Sequence, residues 1–163
     1  MGVASDYRGP SGKILPATGV NAHGIVERLR PVFAGQNEVL LAYLFGSYAR
    51  GDEGTWSDVD FAVFLRPGLK GDELFEAYRE LYLAIRSALS TERFDLLLLN
   101  RASLPLKFEV VSRGKLIYAR SEEVLNSFEV DVIRRYQDTA YLRKVQTWYF
   151  QERVRRWSSK GRA

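Results

Sequence analysis

Three unbroken apolar runs of strand length constrain this chain more than any other feature. They are Val39–Phe45 (VLLAYLF), Asp58–Leu65 (DVDFAVFL) and Phe94–Leu99 (FDLLLL). Runs without polar alternation belong to strands buried on both faces or central in a sheet. Between the second and third lies the turn Arg66-Pro67-Gly68, and then Leu74, Tyr78, Leu81, Ile85 and Leu89 at spacings of four, three, four and four. That spacing predicts a helix with one apolar face, and Asp72 is its expected N-cap.

The flanking segments add helices. Ile25, Val26, Leu29 and Val32 follow Asn21, a suitable N-cap, and Gly35 is placed to end that helix. His23 falls in its first turn and reads as an ordinary surface histidine. A short helix is expected within Arg101–Gly114, starting near Pro105, and Leu116–Ala119 is the fourth strand. Met1–Val20 is rich in Gly, Ser, Pro and Ala without periodicity and reads as a flexible leader. The chain of 163 residues suits one compact domain. Its boundaries are read as a leader over 1–20, a main domain over 21–120 and a C-terminal helical region over 121–163.

The last region carries two apolar sets. Leu125, Phe128, Val132, Tyr136 and Ala140 form one stripe, continued by Phe150, Val154 and Trp157; Tyr141, Val145, Trp148 and Tyr149 form a second, rotated from the first. Either the helix has a second surface to cover, on a partner, or a kink near Asp138 lets one face serve throughout. From Arg134 onward nine Lys/Arg stand against two acids, a local balance of +7, although the whole chain carries only +4. A basic end of this kind can meet nucleic acid, solvent or an acidic partner. Direct nucleic-acid binding is not the expected use.

Composition then narrows the chemistry. The chain has no cysteine and one histidine. Disulfides, thiolate metal sites, cysteine nucleophiles and a Ser-His-Asp triad are therefore excluded, and catalysis falls to carboxylates, hydroxyls, lysines, arginines or backbone groups. No run approaches the ~20 apolar residues of a membrane span. Met1–Ala17 lacks the layout of a signal peptide, so a soluble, cytoplasmic protein is expected.

The carboxylates sit at the mouths of the apolar runs. Asp58 and Asp60 open the second; a period of two puts both on one face with Cα atoms roughly 7 Å apart. Such a pair is either a set of solvated turn acids or a site for a cation lying between them, and oxygen ligands suit Mg²⁺. Asp95 is the only charge in the third run and needs a metal, a donor or a cation such as Arg93. If the two strands are neighbours, three carboxylates meet at one sheet edge, a set able to hold two metal ions. Directly after the first run, Gly46 offers a tight turn, Ser47 an N-cap hydroxyl and Tyr48–Gly51 a short helical turn. Together with Arg50 these make a candidate site for an anion such as phosphate.

The spacing Gly46-Ser47, ten residues, Asp58-Val59-Asp60 resembles the minimal nucleotidyltransferases (MNT domains) of the DNA polymerase β-like superfamily. Ala49-Arg50-Gly51, Ser57 before the paired aspartates, and the later Asp95 fit the same signature. Leu99-Asn100-Arg101-Ala102, Arg113–Tyr118 and Tyr136-Gln137-Asp138 look like the MNT antitoxins of HEPN/MNT toxin–antitoxin pairs. Tyr48 departs from the pattern, leaving Arg50 as the main cation of the loop. The resemblance spans about Asn21–Arg156 and implies an α/β (α+β) domain of polymerase-β type. Its features are a small mixed sheet, packed helices and a long C-terminal helical region. It implies transfer of AMP from ATP to a hydroxyl with release of pyrophosphate; in the antitoxin branch the acceptor is a tyrosine of a HEPN ribonuclease toxin, which is thereby silenced. By the same resemblance Asp58 and Asp60 would hold two Mg²⁺ ions. Asp95 would complete one site and help take the acceptor's proton, and Gly46 and Ser47 would hold triphosphate oxygens with Arg50 near. Two alternatives stand beside this reading: an antitoxin that only binds its toxin, and a transferase acting on a small-molecule hydroxyl such as that of an aminoglycoside.

Overall fold

The computed structural model describes residues 22–51, 58–142, 144, 145 and 147–151. The leader, Asn21 as N-cap, Ser57, and Val154, Trp157 and the basic residues from Arg153 onward lie outside the described residues. The elements run α1 (Ala22–Ala34), β1 (Val39–Phe45), α2 (Gly46–Arg50), β2 (Val59–Leu65), α3 (Gly71–Leu89), β3 (Phe94–Leu98), α4 (Leu104–Arg113), β4 (Lys115–Ala119) and α5 (Glu122–Asp138).

The four strands form one mixed sheet in the order β3-β2-β1-β4. β1 is antiparallel to β2 and β4, whereas β2 and β3 are parallel, joined by the crossover helix α3. The third apolar run is thus an edge strand, not a central one, and Leu96, Leu97 and Leu98 are only partly covered. Its ladder continues one residue further through Leu99 N–H, which donates to Val63 O at 2.8 Å.

Alternation along the strands sorts the side chains onto two faces. Val59, Phe61, Val63 and Leu65 join Phe94, Leu44 and the buried residues of α1 (Ile25, Leu29, Phe33) and α3 (Leu74, Leu81, Ile85). Phe61 sits between Phe33 and Phe94 in edge-to-face contacts, centroids 6.3 and 6.1 Å apart. The opposite face gathers Leu41, Tyr43, Ala62, Leu99 and Val110 under Leu125 and Phe128 of α5. α5 is tied down by a part-buried hydrogen bond from Tyr43 Oη to Glu129 Oε1, 3.0 Å. Burial first, then the Glu129 charge, holds the Tyr43 phenol above its ordinary range.

Helix ends differ from expectation in two places. Lys70, not Asp72, is the N-cap of α3, and no side chain caps it. Asp72 and Glu73 stand inside the first turn, where a negative charge meets the positive end of the helix dipole. The helical region after Ser121 breaks where the kink was envisaged: α5 stops at Asp138, and the Thr139 hydroxyl donates to Arg135 O (3.0 Å) and Tyr136 O (3.3 Å). The break does not let one face serve throughout. Helix resumes at Ala140, yet Tyr141, Leu142, Trp148, Tyr149 and Phe150 are 58–76% exposed, Phe150 of the first stripe among them.

Asn100 closes the far end of β2. Its amide mimics a neighbouring strand, accepting from Leu65 N–H (2.9 Å) and donating to Leu65 O (2.8 Å). Asn100→Ala removes both bonds from a partly buried site and is expected to cost about 1–3 kcal/mol. Chemical denaturation checks this; an unchanged midpoint would show that water replaces the amide without loss.

Candidate active site

The sheet brings the expected acids to one end. In the parallel ladder Asp60 lies directly opposite Asp95, and in the antiparallel one Asp60 opposes Phe45, the last residue of β1. Gly46 therefore follows immediately beside the Asp60 side chain. It has φ +70°, and a Cβ there would fall 2.0 Å from Asp60 Oδ2. Both facts demand glycine: the backbone conformation is left-handed, and the space is filled by the carboxylate. The close approach expected of Gly46 is thus an approach to Asp60.

The short helix α2 differs in detail from expectation. It begins at Gly46, with Phe45 as N-cap and no side-chain cap bond, so Ser47 lies within the helix and is not its cap. The Ser47 carbonyl accepts from Gly51 N–H at 2.9 Å, and Gly51, in the left-handed region, ends the turn. Ala49 is buried and seats α2 on the core, while Arg50 is exposed. Arg50 is near enough for its charge to act on Asp60.

The electrostatics of the three acids are those of a crowded anionic site. The Asp60 carboxyl is held above the ordinary value of 3.8 by partial burial first, then by the charges of Asp95 and Asp58; Arg50 pulls it back. Asp58 lies just before β2, and its Oδ1 accepts from Arg93 Nε at 3.2 Å. The sequence suggested Arg93 as a partner for Asp95; the arginine pairs with Asp58 instead, because it precedes β3 at the level where Asp58 precedes β2. Among the described residues no three of these side chains close into a ready-made metal cage. The donor set itself, hard carboxylate oxygens that repel one another, fits a divalent cation such as Mg²⁺. The cation would be held by Asp58, Asp60 and Asp95.

Comparison with known proteins shows the family. The profile of the polymerase beta nucleotidyltransferase family matches residues 27–123. The chain belongs to this family. It is 34% identical over 119 residues to the protein adenylyltransferase MntA of Shewanella oneidensis, covering 72% of this chain and 78% of that one. It is also similar to a chain of a crystal structure of a toxin–antitoxin with AMP-PNP, with 30% identity, TM-score 0.60 and coverage of 80% of this chain and 98% of that. A structure of a tri-AMPylated Shewanella oneidensis HEPN toxin in complex with MNT antitoxin matches at 29% identity and TM-score 0.56, over 81% of this chain and 97% of that. The mixed four-stranded sheet with packed helices is the nucleotidyltransferase fold, and the protein is an enzyme of that class. No helix among the described residues is long and apolar enough to cross a membrane.

The raised Asp60 carboxyl has a consequence for stability. Folding disfavours its charged form, so the native state holds the proton more tightly than the unfolded chain does. The penalty is absent below 3.8, the ordinary value, grows as pH rises through the raised native value, and is complete at neutral pH. Asp60→Asn is therefore expected to raise the melting temperature of metal-free protein at pH 7, with the gain shrinking toward pH 4. A gain that is the same at both pH values would mean that the Asp60 charge, disfavoured first by burial and then by its neighbours, is not its source.

Proposed function

We propose that the protein is an antitoxin that transfers AMP from ATP to a tyrosine hydroxyl of a HEPN toxin and so silences it. The observation that carries this reading is the register pairing of Asp60 with Asp95 beside Gly46, on a chain similar to MntA and to antitoxins solved with an AMPylated toxin. In the reaction the tyrosine oxygen forms a bond to the α-phosphorus of ATP. The bond from that phosphorus to the α–β bridging oxygen breaks, and pyrophosphate leaves. Bound Mg²⁺ would neutralise charge on the phosphates and on the attacking and leaving oxygens.

The chain's own residues have separable tasks. Asp58 and Asp60 present oxygens for the cation. Asp95, exposed at the edge strand, is free to face an incoming acceptor and take its phenolic proton. Gly46 lets the backbone approach, Ser47 offers its hydroxyl from within α2, and Arg50 adds positive charge toward the phosphates. Incubation with α-labelled ATP, Mg²⁺ and a candidate HEPN toxin should label a toxin tyrosine. Asp58→Asn with Asp60→Asn should abolish labelling while the two proteins still associate. Absence of label with wild type, together with neutralisation of the toxin by binding alone, would reduce the protein to a masking antitoxin.

The toxin's seat, we propose, is the helical segment after Thr139. α5 starts by the far end of the sheet, where Arg120 N–H donates to Leu40 O, and reaches Tyr43 by Glu129. It thus runs in the direction of β1, whose last residue opposes Asp60, and the exposed Tyr141, Trp148, Tyr149 and Phe150 lie beyond its end. Exposed aromatics of this kind concentrate binding energy at interfaces. Trp148→Ser with Phe150→Ser should weaken toxin binding at least tenfold, as about 1.4 kcal/mol or more is lost. ATP binding should stay unchanged. Undiminished toxin binding, read by calorimetry, would move the partner site elsewhere.

A further inference from the structure

Arg93 is held more firmly than a surface ion pair requires. Its amide donates to Thr91 Oγ1 at 3.1 Å, and Thr91 is buried. Its carbonyl accepts from Val59 N–H at 3.2 Å, the residue between the two paired aspartates. Its side chain is only 12% exposed, whereas that of Asp58, which it grips, is 54% exposed. Main-chain bonds on both sides fix the Arg93 backbone, and its largely buried guanidinium reaches Asp58, so a cation is already resident at the edge of the acidic site. The cage of three acids is not closed in this arrangement.

We propose that Arg93 is a positioning residue that serves as the counter-cation of the metal-free site, holding Asp58 through Oδ1 and yielding it when a divalent cation enters. Two consequences follow. Metal-free protein does not leave the Asp58 charge unpartnered beside the other acids at the end of the sheet. The cation, for its part, must displace an ion pair before it gains all three carboxylates, so it binds weakly alone and well only with the extra oxygens of a nucleotide triphosphate. Arg93 thereby favours joint entry of metal and nucleotide over metal entering first.

This inference rests on the divalent-cation reading of the acids, and its test separates the two. Mn²⁺ binding to the full chain, without nucleotide, is followed by electron paramagnetic resonance. Arg93→Gln should bind Mn²⁺ roughly three- to tenfold more tightly than wild type, the range left when a charged hydrogen bond is discounted for the exposure of Asp58. In an Asp58→Asn background the same substitution should have no effect. In wild-type protein the Arg93 Nε–H resonance should shift and exchange faster with water once Mg²⁺ and a non-hydrolysable ATP analogue saturate the site. This second measurement decides the matter even if Arg93→Gln does not fold. Equal or weaker Mn²⁺ binding by the folded variant, or an Arg93 resonance unmoved by Mg²⁺ and nucleotide, overturns the counter-cation role and leaves the metal site standing. If neither wild type nor variant binds Mn²⁺, with or without nucleotide, both readings fall.

Discussion

The parallel pairing of β2 with β3 is the interaction on which the site depends. It sets Asp60 opposite Asp95, and nothing local to either residue could do so, since α3 lies between them in sequence. The register is secured by the apolar pattern. Phe61, Val63 and Leu65 all meet the α1/α3 side. A slip of one residue would turn them outward and drive Asp60 into the core. The cost of that inversion, several side chains at about 1.5–3 kcal/mol each, far exceeds the repulsion between two carboxylates in partial contact with water. Core packing thus forces the acids together, into a proximity that the carboxylates alone would resist.

The two faces of the sheet divide the work. The α1/α3 face is closed by apolar contact, with Phe33, Phe61 and Phe94 linked ring to ring beneath the strand ends that carry the acids. On the opposite face α4 and α5 pack together over Leu41, Tyr43 and Ala62, fastened by the bond from Tyr43 to Glu129. Asp60 and Asp95 share that second face by alternation. The rigid side therefore backs the carboxylates, and their open side is left to ligands.

Much of this was legible in the sequence, because it rests on patterns the chain states directly. The three apolar runs became β1, β2 and β3 within a residue at each end, and the helical stripe from Leu74 to Leu89 became α3. The convergence of Asp58, Asp60 and Asp95 depended only on two strands being neighbours. What escaped detection depended on geometry between residues far apart. That Arg93 would grip Asp58 and not Asp95 follows from the level of two strand starts. That β3 would be the edge strand follows from strand order, to which an unbroken leucine run is blind. Ser47 looked like an N-cap because a small hydroxyl side chain suits that position; Gly46, with φ +70°, starts the helix one residue sooner. Asn100 stood out in the sequence only as part of the Leu99-Asn100-Arg101-Ala102 resemblance; its role as a substitute strand rests on the distance between its amide and Leu65, which no local pattern states.

The same crowding that makes the site useful makes it a burden on the fold. Burial of the Asp60 charge first, and its repulsion by Asp95 and Asp58 second, weaken the metal-free native state at neutral pH, and Arg93 relieves only the part of that repulsion that falls on Asp58. A ligand that binds the folded acids and not the unfolded chain removes the remainder and stabilises by mass action as well. Relief of repulsion is thus part of the affinity for any cation held there. The Phe33–Phe61–Phe94 cluster offsets the burden at the place where it falls, because Phe61 adjoins Asp60 and Phe94 adjoins Asp95 along their strands. Loss of packing at either phenylalanine would therefore loosen the register before it unfolded the domain. The carboxylates would then be free to move apart, and the role proposed for them would suffer at a smaller perturbation than global stability does.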